Sequence, residues 1–290
     1  MEQKIQDFLA FLTKVKGVAE NTVLSYRRDL YQMNDFFKQN GIDMADKITS
    51  TNVNSYVLHM EKNGKSPSSV SRNISCMRSF FRYLINRGEI SKDPTELVSM
   101  PKYERKQPEI VSLNTMELLL KAPSDNTAKG IRDKAMLQLL YVTGMRVSEL
   151  INLKLEDVNL EMKYVILKNS KKNRVVPFDT KSKNILKKYL SDSREELASK
   201  ECSIFFVNCS GKEMTRQGFW KIIKGYAKEL GINEDISPHT FRHSFGVHLL
   251  ENGANIRDIQ KIMGHVDISS TNVYAKITEE KLKNIHNRII

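Results

Sequence analysis

The sequence predicts a mainly α fold in two domains, with a small β-sheet confined to the second. Three observations predict it. Apolar residues recur at helical spacing through most of the chain. The helical period gives way to short β-rich runs only between residues 164 and 177. A polar stretch over 91–109, punctuated by Pro94, Pro101 and Pro108, separates two groups of helices. At 290 residues the chain is long for one domain, and each of two can bury its own core.

Four helices account for the first domain, residues 1–90. Ile5, Phe8, Leu9, Leu12 and Val15 form the first stripe, and Gly17 stops it. The second helix starts near Glu20 and turns Val23, Tyr26, Leu30, Met33 and Phe37 inward before Gly41. The third runs over 51–62, with Val53, Tyr56, Val57 and Met60 on one side. The fourth opens at Ser66-Pro67, a cap followed by proline at the first helical position. It carries Val70, Ile74, Met77, Phe81 and Leu84 to Gly88. A linker is expected over 91–109 and a second domain over 110–290.

In the second domain, helices are predicted over 115–121, 130–142 and 146–153. Tyr164-Val165-Ile166-Leu167 and Arg174-Val175-Val176-Pro177 read as strands, joined into a hairpin by the lysine-rich segment 168–173. Helices follow over 181–190, 193–199, 215–230, 238–251 and 256–263, with a last one from 278.

Lysine and arginine number 46 against 34 acids, a net charge of +12, which points to a polyanionic partner, nucleic acid above all. Cys76, Cys202 and Cys209 form no C-x-x-C pair, so free thiols in a reducing cytoplasm are expected. The N-terminus lacks the basic start and apolar run of a signal peptide, and no stretch reaches membrane-span length. A cytoplasmic protein with no membrane insertion is therefore expected.

Four of the six histidines fall between His239 and His265. In Ser237-Pro238-His239-Thr240-Phe241-Arg242-His243, the cap places His239 at a helix N-terminus and Arg242 on the same face. An imidazole beside a guanidinium suits one phosphate: the arginine offers a planar fork, the histidine a donor or a base. His239 and His243 also have the spacing of zinc ligands on a helix, but Thr240 stands where a metalloprotease carries glutamate. No further ligand follows at a familiar metal spacing, so no metal is expected. His243 and His248 read as packing or supporting residues. Thr143-Gly144-Met145-Arg146 opens a helix with backbone N–H groups and a guanidinium at one anion, although, taken alone, the segment is better explained by pairing of Arg146 with Glu149 on the surface. Tyr274 follows Met263-Gly264-His265 by nine residues.

In this order, these segments resemble the tyrosine site-specific recombinases, or phage integrase family, and within it the Xer recombinases. Thr143-Gly144-Met145-Arg146-Val147-Ser148-Glu149-Leu150 is similar to the first arginine box. Pro238-His239-Thr240-Phe241-Arg242-His243 is similar to the second, and Met263-Gly264-His265 and Tyr274 complete the set. Asn21-Thr22 through Tyr26-Arg27-Arg28-Asp29-Leu30 resembles the SAM-like core-binding domain. The resemblance implies a four-helix core-binding domain followed by a tyrosine-recombinase catalytic domain. It departs from the family at the hairpin, where the lysine usually stands between glycines. Lys168 matches best if the turn holds one extra residue, with Lys171 and Lys172 as alternatives.

The resemblance further implies a metal- and ATP-independent reaction, with no cofactor, in which Tyr274 becomes joined to a DNA 3′ phosphate. Arg146 and Arg242 would clamp the phosphate, His265 would add a hydrogen bond, His239 would take the tyrosine proton, and Lys168 would protonate the leaving 5′ oxygen. Double-stranded DNA is the implied partner, held by a homotetramer or a heterotetramer with a related recombinase, into which residues 279–290 would dock. Arg72, Arg78 and Arg82 on the fourth helix, and Lys221 and Lys224 in the catalytic domain, are candidate DNA contacts, against a bland reading as surface charge. Chromosome-dimer resolution is the expected task. Integration or excision of a mobile element, and a type IB topoisomerase-like activity, are the rival readings.

Overall fold

The computed structural model describes residues 1–101, 108–168, 173–198, 202–264, Thr271 and Tyr274. The chain divides into two compact units, Met1–Lys106 and Gln107–Ile290. The first holds α1 (Glu2–Lys14), α2 (Glu20–Gln39), a 3-10 turn (Ala45–Lys47), α3 (Ser50–Lys62) and α4 (Pro67–Asn86). Local chemistry starts each of the last two helices. Thr49 Oγ1 accepts the Asn52 N–H at 3.3 Å while Asn52 Oδ1 accepts the Thr49 N–H at 2.9 Å. Ser66 caps the Ser69 N–H, and Pro67 supplies a preset φ.

The apolar stripes meet in one core, with Ile5, Leu30, Val53, Ile74 and Phe81 fully buried. Val15, expected in the first stripe, lies past the end of α1 and is 70% exposed. Part of the expected linker is packed rather than loose. Thr95 and Val98 are buried, Val98 within this core, and Asp93 Oδ1 accepts both the N–H and the hydroxyl of Thr95. The physical reason is that burying the Val98 side chain is favourable, and Arg78 of α4 holds its carbonyl at 2.6 Å.

The second unit runs α5 (Leu113–Lys121), α6 (Ala128–Thr143), α7 (Val147–Ile151), a 3-10 turn (Leu155–Asp157), β1 (Val158–Asn159), β2 (Tyr164–Leu167), β3 (Arg174–Pro177), α8 (Thr180–Lys188), a π-helical turn (Tyr189–Arg194), α9 (Glu195–Leu197), α10 (Arg216–Glu229), α11 (Pro238–Glu251) and α12 (Ile256–Met263). The sheet is antiparallel in the order β1-β2-β3, with Val165 opposite Val176 and Leu167 opposite Arg174. It holds one strand beyond the expected hairpin, because the two residues of β1 are too few to show alternation. The helix expected over 193–199 opens inside the π-helical turn. Helix α6 is the central post: α5, α8, the π turn and α11 all pack on it, and Ala135, Met136, Leu139 and Leu140 are buried around it.

Helix α6 ends at Gly144, whose φ of +56° favours glycine. A Cβ there would stand 2.3 Å from Phe245 of α11, so only glycine lets the α6–α7 turn lie against that helix. Helix α7 is shorter than the expected 146–153. It starts after Arg146, whose N–H is taken at 2.7 Å by the Glu149 carboxylate. All three cysteines are unbridged, and no helix among the described residues is long and apolar enough to cross a membrane.

In the first unit, Asp29 is 2% exposed and accepts the Nε and Nη2 hydrogens of Arg72 at 2.9 and 2.8 Å. Arg72→Ala leaves that carboxylate without its guanidinium, though water reaches it because Arg72 is itself half exposed. The variant is expected to lose about 1–3 kcal/mol in denaturant unfolding, and Arg82→Ala, at an exposed position, about 0.5 or less. Equal small losses would show that the Asp29 pair is not structural.

Candidate active site

Helix α11 is the floor of the site. Ser237 caps it through the Thr240 N–H, and Pro238 opens its first turn. Arg242 is 6% exposed, and its Nη1 donates to the Gly144 carbonyl and its Nη2 to that of Met263 at 2.5 Å. Arg146, at the N-cap of α7, donates from Nη2 to the next carbonyl, Gly264, at 3.2 Å. Two guanidiniums thus sit on consecutive carbonyls at the C-terminal end of α12, where the helix dipole is negative. Burial, then the neighbouring Arg146 charge, pulls the Arg242 pKa down to about 10, so it remains a cation at neutral pH.

One turn beyond Arg242 lies Gly246. The Tyr274 ring rests on it: a Cβ at Gly246 would stand 2.6 Å from the ring Cε2. Tyr274 is 1% exposed, and its hydroxyl lies 3.2 Å from His243 Nδ1. Burial raises the hydroxyl pKa above its ordinary value, against the opposing pull of Arg242 and Arg146, so the seated phenol is neutral. Burial, followed by His239 and Arg242, lowers His243 to about 4, leaving it neutral.

Lys168 closes β2. Its Nζ bonds Asp157 Oδ1 at 2.6 Å and Glu156 Oε1 at 2.9 Å, and those carboxylates, Asp157 first, raise its pKa. It shares a cleft of about 500 Å³ with Arg146, Glu149, Asn152 and Asp157.

The fold therefore gathers Arg146, Arg242 and Tyr274 at one place and sets Lys168 in the cleft that Arg146 lines. It puts Tyr274 on His243 rather than on His239, which is exposed in the first turn of α11 with its ring centroid 6.4 Å from that of His243. Among the described residues, no three metal-binding side chains converge. His265, Lys171, Lys172 and residues 279–290 lie outside the described residues. Of the candidate DNA contacts, Arg72 holds Asp29, and Arg78 donates to the Val98 carbonyl at 2.6 Å. Lys224 pairs with Asp235 and lies 5.5 Å from the Trp220 ring centroid, while Arg82 and Lys221 are exposed. From the sequence Glu149 reads as a surface partner of Arg146, and neither Arg174 nor Gly246 stands out. The one signal for Arg174 was a charge opening an otherwise apolar strand.

Residues 110–281 match the phage integrase family, and residues 5–88 match the phage integrase N-terminal SAM-like domain. The chain belongs to the phage integrase family. It is 40% identical to a protein of Listeria innocua named tyrosine recombinase XerD, over 99% of this chain and 98% of that one. A protein of the same name from Oceanobacillus iheyensis is 42% identical, over 99% and 97%. This phage integrase relative is thus an Xer-type tyrosine recombinase, a DNA recombinase. Its fold is shared with the XerA recombinase (25% identity, TM-score 0.56, 99% and 98% covered). It is also shared with an XerH site-specific recombinase (17% identity, TM-score 0.77, 97% and 84% covered).

Gly246→Ala is expected to destabilise the protein by about 1–3 kcal/mol through overpacking, against about 1 kcal/mol of helix propensity gained. With Tyr274→Ala present, the same change is expected to be neutral or stabilising. An equal cost in both backgrounds would remove Tyr274 from this seat. The His243 pKa falls from 6.5 to about 4, so between those values the unfolded chain binds a proton that the folded chain does not. Its stabilising contribution is complete above pH 6.5 and is lost as pH falls toward 4. Denaturation of His243→Gln is expected to lack this slope, worth roughly 3 kcal/mol at most; identical pH profiles would refute the assignment.

Proposed function

We propose that the chain cuts and rejoins double-stranded DNA at a specific site through a 3′-phosphotyrosyl bond on Tyr274, and that chromosome-dimer resolution in the cytoplasm is its task. The observation that carries this reading is the pairing of Arg146 and Arg242 beside the seat of Tyr274. The solved XerH structure with the same fold is described as a post-cleavage complex on a palindromic difH substrate, which supports it.

Attack on a phosphodiester gathers negative charge on its non-bridging oxygens. Two guanidiniums already fixed by carbonyls need no reorganisation to meet that charge. A guanidinium has five N–H donors, so each arginine retains donors for phosphate beyond the bonds it makes here. The Tyr274 hydroxyl is too buried to reach a duplex where it sits, so catalysis requires the ring to leave Gly246 and His243. Once out of its seat and beside two cations, the phenol loses its proton more easily; His239 accepts it, and His265 adds a donor to the phosphate.

The tyrosyl oxygen–phosphorus bond then forms as the bond from phosphorus to the 5′ oxygen breaks. Lys168, or Lys171 or Lys172 in the same hairpin, gives that oxygen its proton. The carboxylates of Asp157 and Glu156 hold Lys168 protonated, and a DNA strand entering the cleft would take over its ammonium. The bond energy is conserved in the phosphotyrosine, so a 5′ hydroxyl from a second duplex reverses the step without ATP. Exchange between two duplexes calls for a tetramer, of this chain alone or with a related recombinase. Arg82 and Lys221 would serve phosphate contacts.

Incubation with fragmented host DNA, followed by denaturation and recovery of protein-linked DNA, tests the reading. Adducts at one short palindromic site near the replication terminus are expected, and Tyr274→Phe is expected to abolish them. Scattered adducts, or adducts that survive the substitution, would contradict it.

A further inference from the structure

Glu149 carries four hydrogen bonds on one buried carboxylate. It accepts the Arg146 N–H at 2.7 Å, Arg146 Nη1 at 3.3 Å, and Arg174 Nη1 and Nη2 at 2.7 and 2.8 Å. The two bonds from Arg174 are short and form a fork on both oxygens. The side-chain bond from Arg146 is long and single. Arg174 is 11% exposed, and its Nε donates to the Ile262 carbonyl at 2.8 Å. One guanidinium therefore ties the start of β3 to α7 and to the last turn of α12. In that turn the successive carbonyls of Ile262, Met263 and Gly264 accept from Arg174, Arg242 and Arg146 in turn.

The charge arithmetic gives this stitch a second role. A single carboxylate lies between two guanidiniums, and Arg174 holds it by the better geometry. Arg146 is left with most of its charge and a side chain 38% exposed. Burial pushes the Glu149 carboxyl pKa up, and the bonds from Arg174, ahead of those from Arg146, more than reverse this. Without Arg174, the anion would keep one hydrogen-bonded guanidinium, that of Arg146 three residues before it, with Arg242 near it by charge alone. It would close on Arg146 and compete with a phosphate.

We infer that Arg174 is a positioning residue for strand cleavage: by occupying Glu149 it keeps the Arg146 guanidinium available to the DNA phosphate. The inference rests on the reading of Arg146 as a phosphate clamp. It differs from a purely structural role in one respect. If the harm of losing Arg174 comes from the freed Glu149 charge, then removing that charge repairs it. Glutamine at 149 keeps an oxygen for the Arg146 N–H and discards the anion.

Single-turnover formation of the covalent adduct, on saturating duplex carrying the recombination site with a nick beside the cleavage point, provides the test. Arg174→Ala is expected to slow adduct formation about 100-fold, the scale of a displaced catalytic group, with DNA affinity and circular dichroism retained. Arg174→Ala with Glu149→Gln is expected to be about tenfold faster than Arg174→Ala alone. A double variant no faster than the single one, or Arg174→Ala cleaving at the wild-type rate, would overturn the inference. Should Arg174→Ala not fold, Arg174→Lys takes its place, with a smaller loss and the same required rescue by Glu149→Gln. Arg146→Ala runs in parallel. If it cleaves normally, the phosphate-clamp reading itself has failed; if it is inactive while Arg174→Ala is normal, only the present inference has.

Discussion

The site depends on how the chain holds a buried cation. Arg242 sits almost out of water in the middle of α11, a position that costs several kcal/mol unless the charge is met. Carbonyls from two other segments meet it: Gly144 at the end of α6 and Met263 at the end of α12. Those bonds draw three helix ends to one point. The α6–α7 turn reaches it because Gly144 allows contact with Phe245, and that turn delivers Arg146 to the neighbouring carbonyl. The dipole of α12 favours cations at its C-terminus, so two guanidiniums stand side by side where they would otherwise repel. A third, Arg174, braces the same turn and holds Glu149.

In the proposed mechanism the nucleophile, Tyr274, is stored apart from the two arginines. Tyr274 lies flat on Gly246, neutral, with its hydroxyl on a histidine that burial also keeps neutral. On that proposal the phosphate clamp is preassembled while the attacking group is not. Tyr274, 1% exposed, would have to leave this seat before it could attack a phosphate. In that mechanism the fixed clamp would supply the electrostatics, and movement of one side chain the timing.

Much of this was legible in the sequence. The stripe Val70, Ile74, Met77, Phe81 and Leu84 gives α4, and Ser66-Pro67 gives its start, because both signals are local. Arg146, Arg242 and Tyr274 were legible through the spacing of their boxes. What was hidden depends on contacts between distant segments. Leu97, Val98 and Met100 are all apolar, and only the packing of distant segments puts Val98 in the core and leaves Leu97 outside it. His243 and His239 lie on neighbouring turns of one helix, and which of them meets Tyr274 depends on how a residue 31 positions away is seated. Glu149 looks like a surface partner at i+3. Its stronger partner is Arg174, 25 residues on and across a hairpin, which no local pattern announces.

The central claim is that the two arginines are set before DNA arrives and that the tyrosine moves to them. A crystal structure of the protein on duplex carrying its recombination site, with Tyr274→Phe to halt cleavage, tests it most directly. The expected result has the scissile phosphate bonded to Arg146 and Arg242, the carbonyl bonds from Gly144, Met263 and Gly264 intact, and the ring at 274 lifted from Gly246 toward phosphorus. A phosphate bound away from the two guanidiniums, or arginines that abandon those carbonyls to reach it, would contradict the account.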